Sequence, residues 1–370
     1  MANSPLSTAP PPAPLASTSS VDERAGRRRA GARGRTPLVA TVLGLALAAS
    51  VVLAIAIGPA DLTPGEVLAS VLHHLGLGEL FGVEPLSPLR DGIVWQLRLP
   101  RVLTATAVGA GLALCGTVMQ ALMRNPLADP YLLGLSSGAS LGAVIVIVLG
   151  AAIALPLAAF IGALLALGAT LLLAGSGGSL SPSRTILAGL AVSAIFGALT
   201  SLVIFWSATG DSYREILNWL LGSLAGARWS AVVIAGVAVL VIGIPLLFTG
   251  TVLDAFAFGD TAASALGVPV TGVRWLLLGA TALLTGALVS VSGSIGFVGL
   301  VLPHAVRLLV GPGHRGLLPL SALAGAIFLL WMDTGARTIF DPRELPVGIL
   351  TAVIGGPVFA LIMLKNRKAE

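Results

Sequence analysis

Residues 98–138 read RLPRVLTATAVGAGLALCGTVMQALMRNPLADPYLLGLSSG. Two arginines, Arg98 and Arg101, open the stretch. An apolar run rich in small residues follows. A polar break, RNPLADP over 124–130, separates it from a second apolar run. A bilayer holds no water to solvate charge or unpaired backbone, so it selects helices this poor in charge. The polar residues that bound each run must then lie at membrane surfaces or against protein.

The rest of the chain has the same character. Of 370 residues, 56% are hydrophobic and 10% are Asp, Glu, Lys or Arg. Soluble domains carry about 25% charged residues. The mean hydropathy is +0.99. This is the composition of an all-α polytopic membrane protein. The 46 glycines suit close helix packing in lipid. The net charge of +5 is spread over helix ends, which argues against a nucleic-acid partner. The single Cys115 excludes an internal disulfide and a thiolate metal cluster, and its apolar neighbours point to packing.

Residues 1–36, rich in Pro, Ser, Ala and Arg, read as a disordered basic tail. The run 38–57 is about 20 residues, long enough to span, and further spans follow it, so it reads as an uncleaved first helix. The arginines before it, Arg24 to Arg35, hold the N-terminus in the cytoplasm. A mixed segment over 58–93 faces outward, with a short amphipathic helix near Thr63–Leu75. His73 and His74 are adjacent, do not share a helix face, and make a poor metal pair. Further spans are expected at 99–119, 130–149, 152–174, 186–206, 229–249, 272–291, 300–310 with its flanks, 318–334 and 346–364. The total is ten, so both termini share one side. Arg124, Arg184, Arg315, Lys365, Arg367 and Lys368 then fall inside, which matches the positive-inside rule. Membrane lipid is the surrounding partner, and the transmembrane domain covers 37–366.

Two interruptions stand out. DAFAFGDTAASALGVPVTGVR, over 254–274, is too polar and too broken for a span. A short helix at Asp260–Leu266, with Asp260 as its cap, is expected on the cytoplasmic surface. SVSGSIGFVGLVLPHAVRLLVGPGHR, over 290–315, alternates Ser and Gly with apolar residues at membrane depth. Broken backbone there is tolerated only where protein or a water-filled path satisfies it. His304 and Arg307 fall one turn apart, and packing or an interfacial hydrogen bond fits His304 better than metal binding.

No phosphate-binding loop of the GxxxxGK[ST] form occurs, nor HExxH, CxxC or GxSxG. Ser137, His304 and Asp333 are far apart in sequence, with no spacing that joins them as a nucleophile and base. An enzyme with its own catalytic site is not indicated. Acidic residues are nearly missing from the spans, which weakens the alternative of a stand-alone secondary transporter.

Residues 97–140, residues 293–337 (GSIGFVGLVLPHAVRLLVGPGHRGLLPLSALAGAIFLLWMDTGAR) and residues 344–364 (ELPVGILTAVIGGPVFALIML) together resemble the FecCD-type permeases of ATP-binding-cassette (ABC) importers. These include BtuC-like subunits for iron–siderophore, haem and cobalamin uptake. The resemblance covers about 38–366 and implies a type II importer fold of ten helices. It implies a second, usually identical permease subunit, two cytoplasmic ATPase subunits that bind ATP and Mg, and an extracytoplasmic substrate-binding protein. No cofactor or metal bound by this chain is implied. Iron(III)–siderophore is the first expectation for the cargo, with haem and cobalamin as alternatives. Carried over by position, the coupling contact with the ATPase falls within 254–270, on Gly259, Asp260, Thr261, Ala262, Ala263, Leu266 and Gly267. Binding-protein docking falls on Arg98, Arg101 and Arg337, because arginine's fork suits carboxylate recognition. Asn125, Pro126 and Pro130 form a tight structural turn. Ser137, Gly138, Gly293, Gly296 and Pro303 are expected to be structural or to line the path.

Overall fold

The computed structural model describes residues 18–151, 155–176, 181–207 and 209–366. The first helix, α1, runs Thr18–Ala56. The tail expected to be disordered is therefore helical from Thr18 onward, while 1–17 lie outside the described residues. The physical reason is propagation. A membrane helix is already nucleated after Pro37, and the arginines and alanines among the preceding residues are good helix formers that offset the glycines there.

The amphipathic helix α2, Pro64–His74, forms where expected. Thr63 caps it: its hydroxyl accepts from the Glu66 amide at 3.2 Å, and Glu66 accepts from the Thr63 amide at 2.8 Å. A continuous helix then runs Pro88–Leu122. It comprises α3 (Pro88–Gly92), a wide π-turn (Ile93–Arg98) and α4 (Leu99–Leu122). The chain continues through α5 (Leu135–Val148), α6 (Leu155–Gly175), α7 (Pro182–Ser207) and α8 (Gly210–Leu220). Next come α9 (Trp229–Ala238) and α10 (Ile244–Leu247), joined by a second π-turn. The sequence then makes α11 (Gly250–Ala257), α12 (Asp260–Ala265), α13 (Val270–Ser292) and α14 (Val298–Val310). It closes with α15 (His314–Thr338) and α16 (Val347–Asn366).

Among the described residues, seven helices are long and apolar enough to cross a membrane, and three shorter apolar helices lie at the remaining expected spans. The centre of the bundle is α4, whose residues from Val108 to Leu122 are almost all buried. It packs against α13, α14 and α15. Around it, α1, α7 and α9 keep large apolar side chains exposed, as a lipid-facing or subunit-facing surface requires. Beside this core, α5 and α6 meet backbone to backbone. A Cβ at Gly138 would lie 2.2 Å from the Gly162 carbonyl oxygen, and one at Gly162 would lie 2.1 Å from that of Gly138. Only glycine at both positions permits so short a distance.

Candidate functional site

The break between α13 and α14 organises the site. Residues 293–297 are non-helical, with Gly293 and Ile295 buried and the other three half-buried. Gly293 takes φ 67°, ψ −167°, a conformation open essentially to glycine alone. A Cβ there would also lie 2.2 Å from the Trp219 carbonyl oxygen. The backbone released from helical bonding is satisfied by protein. Ser223 donates its amide to the Ser292 carbonyl at 2.9 Å, and the Tyr131 hydroxyl donates to the Ile295 carbonyl at 3.0 Å. Gly296 lies within this break, and Pro303 is buried inside α14.

The break forms one wall of a cleft of about 460 Å³. Among the described residues its lining is Tyr131, Ser136, Ser137, Ser140, Ser193, Gly197, Thr200, Leu220 and Ser294. All but Gly197 and Leu220 carry a hydroxyl, and none carries a charge. The hydroxyl of Ser136 is hydrogen-bonded to that of Ser294 across the cleft. Ser137, Ser140 and Thr200 donate to the carbonyls of Gly134, Ser136 and Phe196 at 3.1, 2.8 and 2.8 Å. With their protons directed into the backbone, these oxygens present acceptor lone pairs to the cleft.

Of the residues expected near the path, Ser137 lines this cleft and Gly138 packs behind it. Tyr131, Ser140, Ser193, Thr200 and Ser294 were not anticipated. A signal was present: Ser193, Gly197 and Thr200 recur at one-turn intervals along an otherwise apolar helix. The turn before α5 is held by two side-chain caps. Asn125 accepts from the Leu127 amide at 2.9 Å, and Asp129 caps the 3-10 turn Pro130–Leu133 by accepting from the Tyr131 amide at 2.8 Å. Pro126 lies between these two side-chain caps.

At one end of the bundle, Arg98, Arg101 and Arg337 differ from the exposed docking cations expected of them. All three are buried. Arg98 donates to the carbonyls of Ile55, Ala56 and Ala60 at 2.8, 2.9 and 2.8 Å, and Arg337 donates to that of Ala54. Together they cap the C-terminal carbonyls of α1, which no longer have helical partners. Arg101 binds Asp333 through Nε and Nη2, and its Nη1 binds Glu344 at 2.7 Å. Helix-end carbonyls and two carboxylates have drawn these guanidinium groups inward.

At the opposite end, α11 and α12 form the expected break. Gly259, not Asp260, occupies the cap position of α12, with φ 97°. Asp260 instead turns its carboxylate to Arg274, at 2.7 and 3.1 Å. The Arg274 hydrogen bond holds the Asp260 carboxyl below its usual range. Arg274 also lies over the Phe256 ring, 5.3 Å from its centroid. Ala263 is buried and Ala262 partly so, while Thr261, Gly267, Phe258 and Leu266 face outward. Phe258 is 80% and Leu266 71% exposed.

A bundle of membrane-length helices around an uncharged hydroxyl-lined cleft defines a transport permease. Residues 45–365 match the FecCD transport family, and the chain belongs to that family. It is 43% identical to the cobalamin import permease BtuC of Halobacterium salinarum, over 75% of this chain and 74% of that protein. It is also 43% identical to the hemin permease HmuU of Yersinia pestis, over 74% of this chain and 84% of that protein. The fold is similar to a solved inward-facing metal-chelate-type ABC transporter, with a TM-score of 0.78 and 35% identity over 89% of this chain and 99% of that one. The protein is thus a permease subunit of an ABC importer, a transport component rather than a catalytic one.

Proposed function

We propose that this permease moves a cobalamin-type corrinoid. The observation that carries the reading is the chemistry of the cleft, whose hydroxyl oxygens offer acceptors and whose lining offers no charge. Cobalamin's rim of primary carboxamides supplies matching N–H donors. Carboxylate-bearing cargo would find no cation among the described lining residues. Kinship with a cobalamin permease supports the same choice over the iron–siderophore cargo expected at first. Haem is the second reading, favoured by the 43% identity to a hemin permease.

In this proposal two copies of the chain enclose the path, and two cytoplasmic ATPase subunits bind ATP and Mg. Both termini lie in the cytoplasm, where Arg124, Arg184 and Arg315 satisfy the positive-inside rule. The ATPases dock on 257–267, where Phe258 and Leu266 offer apolar anchors and the Asp260–Arg274 pair fixes the base of the loop. A binding protein docks on the Arg98–Arg101–Arg337 end. There the buried arginines act through the helix ends they hold in place.

Reconstitution in liposomes with the cognate ATPase and binding protein tests the reading. ATP-dependent uptake of cyanocobalamin, in preference to hemin and ferric siderophore, is the expected result. Preferential hemin uptake would select the second reading. Uptake driven by an ion gradient without the ATPase would overturn both.

A further inference from the structure

We infer that Asp254 is the positioning residue that delivers movement of the α11–α12 loop to the body of the bundle, an inference that rests on ATPase docking over 257–267. Three observations carry it. First, Asp254 caps a helix other than its own. The N-cap of α15 is Gly313, which has no side chain to accept a hydrogen bond. Asp254, on α11, accepts instead. Its Oδ1 takes the His314 amide at 2.9 Å and His314 Nδ1 at 2.7 Å. A carboxylate oxygen can only accept, so Nδ1 carries the proton. The His314 side chain is 6% exposed, which shields the pair from water on its α15 side.

Second, the contact closes at two points one turn apart. A Cβ at Gly250 would lie 2.8 Å from the Arg315 amide nitrogen. Gly250 and Asp254 are four apart on α11 and share a face. Backbone contact at one and a charge-assisted pair at the other fix both the distance and the rotation of α11 against the start of α15. The buried Leu253 and Phe256 also hold α11, but apolar contacts are non-directional and let a helix slide.

Third, α15 is built into the body of the bundle. Leu317, Leu318 and Leu320, which flank Pro319, are fully buried, so the first turn moves with the helix despite the bond that proline lacks. Further along, α15 meets α4 backbone to backbone: a Cβ at Gly109 would lie 2.2 Å from the Gly325 carbonyl oxygen. Near its far end, Asp333 holds Arg101. On the loop side, the exposed Phe258 stands one turn beyond Asp254, so force applied there acts next to the clamp. Coupling of this kind needs a continuous chain of packed and bonded groups, and Asp254 is its directional link.

The test uses the complete complex in liposomes, with the cognate ATPase and binding protein. Cargo is cyanocobalamin or hemin, whichever the unaltered complex transports. Molecules taken up are counted per ATP consumed by permease-dependent hydrolysis. Unfolded permease contributes to neither count, so a merely structural defect leaves the ratio unchanged. Asp254→Ala should lower the ratio roughly five-fold, with ATPase affinity unchanged in a pull-down. Asp254→Asn keeps an acceptor for both bonds and should restore most of the ratio. A full ratio in Asp254→Ala, an equal loss in Asp254→Asn, or a loss of ATPase affinity would each overturn the proposal. If Asp254→Ala does not fold, His314→Leu decides, because it removes the ring bond and leaves the amide bond: a lowered ratio supports the clamp and an unchanged one overturns it. Phe258→Ser with Leu266→Ser separates the two readings. If that variant keeps full ATPase affinity, the docking reading fails and this proposal falls with it. If it loses affinity while Asp254→Ala keeps the full ratio, only this proposal falls.

Discussion

Arg101 and Arg274 each hold a carboxylate through two nitrogens, yet their ion pairs have different settings. Arg101 is clamped to Asp333, whose side chain is 2% exposed. Arg274 is clamped to Asp260, whose side chain is 41% exposed. The first pair ties α4 to α15 inside the bundle. The second sits beneath a loop that turns Phe258 and Leu266 away from the protein. The same chemical pair thus serves as an interior tie at one end and as the footing of an exposed loop at the other. Burial of the carboxylate, rather than the identity of the arginine, separates the two roles.

The sharpest way to break this comparison is to remove the buried carboxylate. Asp333→Ala leaves Arg101 buried with Glu344 as its only carboxylate. It should destabilise the protein by about 3–5 kcal/mol, read from thermal or denaturant unfolding in detergent. Replacing both partners, as Arg101→Met with Asp333→Leu, should recover most of that loss, because the uncompensated charge is gone. Failure of the double variant to recover would mean that the pair does more than neutralise itself.

At the other end the largest effect should be on association, not folding. Phe258→Ser with Leu266→Ser should leave the unfolding midpoint nearly unchanged, since both side chains are exposed. It should weaken ATPase binding at least about ten-fold, as expected from losing two apolar anchors. A pull-down titration with the cognate ATPase measures this. Unchanged affinity would remove the loop from the interface.

Smaller again is Asp260→Asn. The pair is partly exposed and screened, so its loss should cost about 1 kcal/mol. Hydrogen exchange over 260–266 should show faster opening, with the spans unaffected. The smallest effect is acid dependence. The Asp260 carboxyl sits below its ordinary value of 3.8 because Arg274 hydrogen-bonds its charged form. Its stabilising contribution is full above pH 3.8 and fades as pH falls through the depressed folded value. Exchange protection of this loop should therefore drop only in that acid range. In Asp260→Asn the drop should vanish.

Much of the fold was legible in the sequence because charge-poor runs have few alternatives in a membrane protein. The spans expected at 99–119, 272–291 and 318–334 lie within α4, α13 and α15. The break after Ser292 was legible for the same reason, since alternating Ser and Gly cannot sustain a lipid-facing helix. Helix α8, with its mixed polar sequence, was not anticipated. The candidate site was less legible. Ser137 drew notice as part of a motif, but Ser193 and Thr200 become significant only when α7 is placed beside α5. The inward turn of Arg101 was hidden for a similar reason. Its partners Asp333 and Glu344 lie 232 and 243 residues further along the chain. Sequence spacing shows which groups are polar, whereas folding decides whether a neighbour uses them up.

The closure of α1 bears on how the chain is assembled. Its last carbonyls are capped by Arg98, 43 residues beyond Ile55, and by Arg337, 283 residues beyond Ala54. When the first span enters the bilayer during synthesis, neither guanidinium yet exists. The first becomes available once α4 begins to emerge, and the second only as α15 is completed. The end of the oldest helix therefore stays unfinished until nearly the whole polypeptide has been made. A truncated chain ending before Arg337 would carry that defect at the membrane surface, where quality-control proteases can distinguish it from the finished protein.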